Sequence, residues 1–483
     1  MQQLNASIHP KKDRPIKILQ FGEGNFLRAF VDWIIQTMND KEVFNGSVAV
    51  VQPVSFGRVK EMKEQDGLYT LFLQGLLDGK VIEQHQIIDV IDDLINPYEE
   101  YDKYLSYAKS DDLEFVISNT TEAGIVLDKE DTDLSKTPNS YPGKLLAFLK
   151  ARYDHFNGDM NKGLHIIPCE LIDYNGKHLK EIMIELANII GLDKDFINWL
   201  ENANTYSNTL VDRIVPGYPR NEANELMEKI GYSDHSMVKG EIFHLWVIEG
   251  PKGLKDVFPA DKAGLNVLFV DNFKPYKERK VKILNGSHTC MVPVAYLSGI
   301  DTVRETVEDP RLGKFVRDFI YGEVVPTIKL PREEMVFFAD SVLERYANPF
   351  VRHELMSIAL NSMTKFMTRV LPTILDNVNT LNVFPKHSFF SLASWMVFYK
   401  GERNGEKIAL ADNPEFLEMW AKLWAEYDNT KEGVNKIVTH VMGMKDHWGV
   451  DMNTIDGANA YVTDVVYDIL TLGMEATFNK NFQ

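Results

Sequence analysis

Three side chains with complementary proton-transfer and hydrogen-bonding chemistry lie close together in the stretch Lys280-Val-Lys-Ile-Leu-Asn-Gly-Ser-His288. On an α-helix, at about 100° per residue, Lys280, Asn285 and His288 fall within about 140° of one another. A lysine amine can protonate a forming alkoxide, an asparagine amide can donate to the same oxygen, and a histidine can hold a substrate hydroxyl. The trio suits reversible hydride transfer to a carbonyl. In the alternative interpretation, Lys280 belongs to a solvated run of charges.

A second candidate site is the turn Gly22-Glu-Gly24, which follows an apolar run at 16–21 and precedes an amphipathic pattern at 25–40. Glycines at a strand-to-helix turn let the backbone approach a pyrophosphate, which rests on the helix N-terminus. Leu27 replaces the third glycine of the usual GxGxxG pattern. The flanking strand and helix favour dinucleotide binding over an ordinary tight turn. Arg28 is either a phosphate ligand or a solvated surface residue.

The residues after the second predicted strand bear on the choice between NAD and NADP. In dinucleotide-binding sheets this strand usually ends in an acid that holds the ribose hydroxyls of NAD. Here the strand at 48–51 is followed by Gln52 and Pro53, and then by the basic residues Arg58 and Lys60. The sequence therefore leaves both cofactors open.

The predicted secondary structure changes near Pro275, which divides the chain into two domains. Residues 1–275 alternate strand-like and helical patterns, with a hairpin signal at Asp78-Gly79, and predict a Rossmann-like, doubly wound parallel sheet. Residues 276–483 carry long helical patterns, including 349–371 and 387–399, and predict a mainly α-helical domain. We expect the first domain to bind a dinucleotide and the second to carry the substrate and the catalytic residues.

Composition excludes several classes of partner. The 483 residues include 52 Lys and Arg against 70 Asp and Glu, so the formal net charge is −18, which disfavours nucleic acid and anionic membranes. Cys169 and Cys290 are too far apart in sequence for a CxxC site, and no His/Cys cluster indicates a metal. There is neither a signal-peptide pattern nor a run of eighteen apolar residues, so a reducing cytoplasm is expected.

Four stretches together resemble the mannitol dehydrogenase family of polyol-specific long-chain dehydrogenases: 22–28, 121–124, 210–214 and 280–288. They occur in order over most of the chain, and the Lys-x4-Asn-x2-His element is the most specific of them. The resemblance implies a Rossmann domain followed by a helical domain, NAD as the cofactor with NADP not excluded, and no catalytic metal.

The resemblance also implies residue roles. Lys280 is the general acid/base, Asn285 polarises the reacting oxygen, and His288 positions the substrate. The cofactor loop comprises twelve consecutive residues: Leu19, Gln20, Phe21, Gly22, Glu23, Gly24, Asn25, Phe26, Leu27, Arg28, Ala29 and Phe30.

The chain departs from the family at residues 169–171, which read Cys-Glu-Leu where polyol dehydrogenases often carry Cys-Asp-Asn. Asn175 is therefore a candidate for the second donor to the reacting oxygen. Glu122 either helps to pass the proton or braces its loop. Asp212 is either a substrate ligand or a buried partner of Arg213.

Five stretches resemble family members that act on six-carbon sugar acids: 19–33, 118–125, 168–176, 274–280 and 398–405. A sugar acid brings a carboxylate, which calls for a local Arg or Lys. Lys365 and Arg369 lie four apart and are nominated; the alternatives are a surface patch or a contact to the nucleotide phosphate. The resemblance to these family members implies NAD-linked interconversion of D-tagaturonate and D-altronate in hexuronate catabolism. The alternatives are fructuronate (mannonate) reduction, oxidation of mannitol or another polyol, and a non-catalytic dinucleotide sensor.

Overall fold

The computed structural model describes all 483 residues and separates into two units, Met1–Phe273 and Lys274–Gln483. Each unit contains one of the two cysteines, and both cysteines are buried and free. None of the helices is long and apolar enough to span a bilayer.

The first unit combines strands and helices along its whole length. Its strands are β1 (Ile16–Phe21), β2 (Ser47–Val51), β3 (Tyr69–Leu77), β4 (Lys80–Ile88), β5 (Ile91–Ile95), β6 (Phe115–Ser118), β7 (His165–Pro168), β8 (Thr205–Tyr206), β9 (Asn208–Asp212), β10 (Val238–Glu241), β11 (Leu245–Glu249) and β12 (Val267–Val270). Its helices are α1 (Asn25–Ala29), α2 (Val31–Asp40), α3 (Val59–Lys63), α4 (Tyr101–Ser106), α5 (Tyr141–His155), α6 (Asn175–Ile190), α7 (Lys194–Asn202), α8 (Ala223–Ile230) and α9 (Leu254–Val257).

The main sheet of this unit has six strands in the order β5-β2-β1-β6-β7-β8, and all of its pairings are parallel. This order confirms the predicted doubly wound sheet. The side chains of neighbouring residues in β1 point to opposite faces of the sheet, as the two-residue period of a strand requires. Ile18 packs in the cluster that contains Ile34, whereas Leu19 packs in the one that contains Leu145. The sheet is therefore buried on both faces.

Two smaller sheets complete the first unit. The predicted hairpin is confirmed: β3 and β4 pair through Asp78 and Gly79, whose φ angles of 52° and 72° fit a tight two-residue turn. β10 joins β3 in parallel, and β11 lies between β9 and β12. The apolar runs at β11 and β12 thus form strands, but strands outside the main sheet.

The second unit is almost entirely helical. Its α-helices are α10 (Lys274–Lys280), α11 (Ser287–Leu297), α12 (Val303–Glu308), α13 (Pro310–Asp318), α14 (Arg332–Tyr346), α15 (Leu355–Ile358), α16 (Ser362–Arg369), α17 (Leu371–Asp376), α18 (Lys386–Phe398), α19 (Pro414–Ala425), α20 (Lys431–Met442), α21 (Lys445–Trp448), α22 (Ala458–Leu472) and α23 (Met474–Phe482). Three segments are π-helical: Val281–Gly286, Phe319–Val324 and Asn377–Leu381. A short hairpin, β13 (Glu402–Arg403) and β14 (Glu406–Lys407), is the only sheet of this unit.

Two of the predicted helices in this unit show how tertiary contacts decide helix length. The helix predicted at 387–399 is confirmed as α18, which is buried at every position from Ser388 to Phe398. The single helix predicted at 349–371 is wrong, because the chain there forms α15, α16 and the start of α17. Asn361 between α15 and α16 has a φ of 54°, and its N–H donates to Ala411 O at 2.9 Å. The Asn361 N–H thus bonds to a carbonyl of a distant loop and not to the carbonyl four residues earlier, as it would within a helix.

Candidate functional site

The glycine turn at the end of β1 leaves its backbone accessible. Gly22 has a φ of 122°, and a Cβ there would lie 3.0 Å from Asn119 O, so no other residue fits without strain. Gly24 has an ordinary φ of −67°, and nothing lies within 4 Å of the position its Cβ would take. The open space above Gly24 is the feature that a bound pyrophosphate requires. The residues present therefore fit a dinucleotide.

Arg28 fixes the shape of this turn. Its side chain is fully buried, and its Nε donates to Glu23 O at 3.1 Å. The guanidinium also donates to Asn25 Oδ1 at 2.8 Å and to Ser236 O. Tyr69 donates its hydroxyl proton to Arg28 O at 2.8 Å. Arg28 is thus neither solvated nor on the helix surface: it ties the turn to its neighbours.

The other expected members of the cofactor loop divide into core and turn residues. Six of them are core residues with at most 1% of their surface exposed: Leu19, Gln20, Phe21, Leu27, Ala29 and Phe30. Phe26 is half-buried and stacks on Phe30 with ring centroids 5.0 Å apart. The loop therefore presents mainly its backbone to a ligand.

Beside the turn lies a cavity of about 660 Å³ within the first unit. It is lined by Glu23, Gly24, Asn25, Arg28, Arg58, Glu61, Pro216, Tyr218, Arg220 and His235. Four of these side chains are basic, which suits an anionic ligand. No spacing pattern in the sequence indicates Tyr218, Arg220 or His235, which lie before and after α8, far along the chain from the turn.

The loop after β6 carries Glu122 and is held by a different acid. Glu122 is exposed. The buried carboxylate of Glu170 accepts hydrogen bonds from Ser118 Oγ at 3.0 Å and from Thr120 N and Oγ1 at 2.9 Å. Burial raises the pKa of Glu170. Glu170, one of the residues at which the chain departs from the family, thus holds in place the loop whose Asn119 O lies next to Gly22.

Asn175 has a structural role in the first unit. Its Nδ2 donates to Pro168 O and Glu170 O at 3.0 Å, and its Oδ1 accepts from Gly176 N and Thr209 N at 2.9 Å. The fully buried amide joins β7, α6 and β9. Because both ends of the amide are engaged, these bonds argue against the expectation that Asn175 donates to a reacting oxygen.

Asp212 and Arg213 lie at the end of β9 and are both buried. The Arg213 guanidinium donates to the carbonyl oxygens of Phe243, Ala29 and Ile242. Burial lowers the pKa of Arg213 to about 9. The arginine therefore ties Ala29 and the segment 242–243 to the end of β9, beside Asp212.

In the second unit, Lys280, Asn285 and His288 lie on one continuous helical segment. α10 ends at Lys280, residues Val281–Gly286 are π-helical, and α11 begins at Ser287. A π-turn holds more residues than an α-turn, so each residue advances by a smaller angle. The angular spread of the trio is therefore smaller than an ideal α-helix gives. The sequence contained no signal for this change of period.

The π-helical segment is held from both sides. Lys282, only 4% exposed at its side chain, places Nζ 2.7 Å from Glu278 Oε1 and 2.6 Å from Asp376 Oδ2. Across the segment, Tyr346 donates its hydroxyl proton to Leu284 O at 2.6 Å. These contacts fix the backbone between Lys280 and Asn285.

His288 lies among aromatic and basic side chains of the second unit. Its ring centroid is 4.4 Å from that of Tyr346 and 5.0 Å from that of His353, and its buried Nε2 has no hydrogen-bond partner. Burial holds the pKa of His288 well below its usual range, and four basic neighbours lower it further: His353, Arg345, Arg369 and Lys365. We call His288 and these four residues the basic cluster.

The two nominated cations both belong to the basic cluster. Lys365 and Arg369 lie on α16, and Lys365 Nζ donates to Ile358 O at 2.8 Å. A Cβ on Gly286 would lie 3.0 Å from Arg369 O, so the end of α16 packs closely on the π-helical segment. Arg345 lies on α14 and His353 on the loop that follows it, and no pattern in the sequence indicates that either belongs with His288. Such a cluster can bind a carboxylate.

No group of three or more His, Cys, Asp and Glu side chains is placed to hold a metal ion.

Comparison with known proteins identifies relatives along the whole chain. The model of the mannitol dehydrogenase Rossmann domain matches residues 16–259, and that of the mannitol dehydrogenase C-terminal domain matches residues 272–470. The altronate oxidoreductase of Escherichia coli O6:K15:H31 (strain 536 / UPEC) is 44% identical over 475 residues, which are 98% of each chain. The altronate oxidoreductase of Escherichia coli O1:K1 / APEC matches equally well. The resemblance inferred from the four motifs is confirmed.

Solved structures show the same fold. The crystal structure of D-sorbitol dehydrogenase in substrate-free form superposes with a TM-score of 0.82 at 21% identity, covering 99% of this chain and 100% of that one. The ternary complex of Pseudomonas fluorescens mannitol 2-dehydrogenase with NAD and D-mannitol gives a TM-score of 0.66 at 20% identity and covers 99% of both chains.

Proposed function

Because the chain belongs to the mannitol dehydrogenase family, we propose that it catalyses the NAD-dependent interconversion of D-tagaturonate and D-altronate. The name of its 44% identical relatives, altronate oxidoreductase, supports this substrate pair. We place the reaction in hexuronate catabolism and in the cytoplasm.

Residues 1–275 bind the dinucleotide in this proposal, and residues 276–483 bind the substrate. Dinucleotide binding is supported by the turn at Gly22 and Gly24. The space next to Gly24 is open, and Arg28 holds the backbone of the turn by a hydrogen bond to Glu23 O. NAD supplies the hydride donor and acceptor for the reaction.

Lys280 moves the proton. In the reductive direction the ketone carbon of D-tagaturonate gains a hydride, and the oxygen gains a proton from the Lys280 ammonium group, which yields the hydroxyl of D-altronate. The Asn285 amide donates to the same oxygen and stabilises its developing negative charge. In the oxidative direction the Lys280 amine takes the hydroxyl proton. The support is the fixed π-helical backbone between the two residues.

The observation that carries the choice of an acid substrate is the basic cluster. His288 Nε2 is buried without a partner, its ring lies 5.0 Å from that of His353, and the basic residues Arg345, His353, Lys365 and Arg369 lower its pKa. A uronate carboxylate can pair with Lys365 and Arg369, whereas mannitol has no anionic group that can. Lys365 and Arg369 are the carboxylate ligands in this proposal, and neutral His288 binds a substrate hydroxyl.

Substrate assays with the purified protein test the proposal. We expect rapid loss of NADH absorbance with D-tagaturonate and slow turnover with D-fructuronate and D-fructose. Preferred turnover of D-fructuronate would keep the acid site and change the substrate. Preferred turnover of D-fructose would remove the proposed role of the basic cluster. NADH binding without turnover of any of the three would favour the dinucleotide sensor.

A further inference from the structure

The sequence has no acid at the end of β2, where folds of this kind usually carry the one that binds the cofactor ribose. The residue there is Gln52, which has no negative charge to offer a ribose. The structure brings the Glu23 side chain from the glycine turn to the same place. A Cβ on Gly57 would collide with both the Glu23 carboxylate and the Gln52 amide oxygen, so these two groups lie side by side.

Glu23 is held at this position through both its backbone and its side chain. Arg28 Nε donates to Glu23 O at 3.1 Å, and Arg58 N donates to Glu23 Oε1 at 3.1 Å. The residue is 8% exposed, and it lines the cavity of about 660 Å³ beside the turn. The carboxylate therefore occupies a fixed position between the phosphate-binding turn and the end of β2, where a dinucleotide of this fold places its adenosine ribose.

We propose that Glu23 is the ribose-binding acid of this chain, which accepts hydrogen bonds from the adenosine ribose hydroxyls of NAD and excludes the 2′-phosphate of NADP. This inference rests on the proposed dinucleotide site. In such folds the ribose is usually bound by an acid at the end of the second strand, whereas here the acid is part of the glycine turn. A carboxylate repels a phosphate at hydrogen-bonding distance, so one residue both attracts NAD and rejects NADP.

The arginines of the cavity do not reverse this preference. Arg58 has the charge to bind a 2′-phosphate, but its Nε donates to Glu61 Oε2 at 3.0 Å and its Nη2 donates to His235 O at 2.8 Å. Its charge is thus partly compensated, and two of its donors are engaged. The cavity keeps enough positive charge for the pyrophosphate while the ribose end stays acidic.

The test is a direct titration of NADH and NADPH, followed by nicotinamide fluorescence, on the wild-type protein and on Glu23→Gln. Loss of one charged hydrogen bond predicts about tenfold weaker NADH binding in the variant. Removal of the repulsion predicts about tenfold tighter NADPH binding, so the preference for NADH over NADPH falls by about a hundredfold. The matched control Glu64→Gln removes an exposed carboxylate just after α3 and should leave both affinities at the wild-type level.

The possible outcomes separate this inference from the proposed function. An unchanged NADH/NADPH preference in a folded Glu23→Gln variant would overturn the role of Glu23 and leave the proposed reaction intact. Failure of the wild-type protein to bind either cofactor would overturn the proposed function itself. If Glu23→Gln unfolds, Glu23→Asp replaces it: the shortened carboxylate should weaken NADH binding but still exclude NADPH, and equal affinities for the two cofactors would contradict the inference.

Discussion

The two units differ in which groups form their candidate sites, backbone in the first unit and side chains in the second. The glycine turn of the first unit presents mainly backbone: three hydrogen bonds direct Arg28 into the fold, and Glu23 is the one acidic side chain of the turn that lines the cavity. The basic cluster of the second unit presents side chains, and His288 Nε2 has no partner. A backbone site suits a phosphate-containing cofactor that many enzymes share, whereas a side-chain site suits a particular substrate. We infer that specificity for the sugar acid belongs to the second unit.

The largest expected effect separates ligand binding from folding in the first unit. Gly24→Val should abolish NADH binding, because the side chain fills the space above the turn, while thermal stability stays near that of the wild type. Gly22→Val is the contrasting variant. Its positive φ and the contact with Asn119 O should cost about 1–3 kcal/mol of folding free energy. Equal loss of stability in both variants, measured by thermal unfolding, would contradict this distinction.

In the second unit, Arg369→Met tests the carboxylate site. Loss of a charge-assisted bond should lower kcat/KM for D-tagaturonate by about 10- to 100-fold. Turnover of D-fructose, which lacks the carboxylate, should not change. Arg352→Met, which removes an exposed arginine paired with Glu354, is the control and should behave as wild type. A parallel loss of activity on both substrates would show that Arg369 acts on structure and not on the carboxylate.

A smaller effect is expected for the support of the π-helical segment. Lys282→Met removes the ion pairs to Glu278 and Asp376, which should shift Lys280 relative to Asn285 and lower kcat about tenfold with little change in KM. Lys282→Arg keeps the charge and should recover most of the rate. A change in KM alone would mean that the segment orients substrate and not the proton-transfer pair.

The smallest expected effect is a pH linkage at the basic cluster. Burial and positive neighbours hold the pKa of His288 below its usual range, and burial also lowers that of His353. A bound carboxylate raises both values, so D-tagaturonate should bind more tightly as pH falls from about 8 to about 6. Calorimetry in buffers of different ionisation enthalpy should show uptake of a fraction of a proton. D-Fructose should show none, and proton release with the uronate would have the wrong sign.

The features that could be predicted from the sequence depend on local patterns. The strand at Ile16–Phe21, the glycine turn and the hairpin at Asp78-Gly79 each follow from a few adjacent residues, and the six-stranded order agrees with the predicted sheet. The placement of Lys365 and Arg369 on one helix also follows from their spacing.

The features that the sequence could not predict depend on distant contacts. Arg345 and His353 reach His288 only through the packing of α14 against the π-helical segment, and Glu23 reaches Gln52 only through the folding of the loop after β2. The amphipathic pattern at 25–40 predicts one helix, yet the chain breaks at Phe30, where φ is −126° and ψ is −72°. No local periodicity encodes these arrangements.

Lys280→Ala tests the central claim most directly, with NADH affinity and turnover of D-tagaturonate measured on the same preparation. The account predicts that turnover falls by at least about 10²-fold, the usual loss for an acid/base residue, while NADH binds as in the wild type. Lys314→Ala, which removes an exposed lysine paired with Asp318 in the same unit, should retain full activity. Wild-type turnover by Lys280→Ala would contradict the assignment of the proton transfer to this residue.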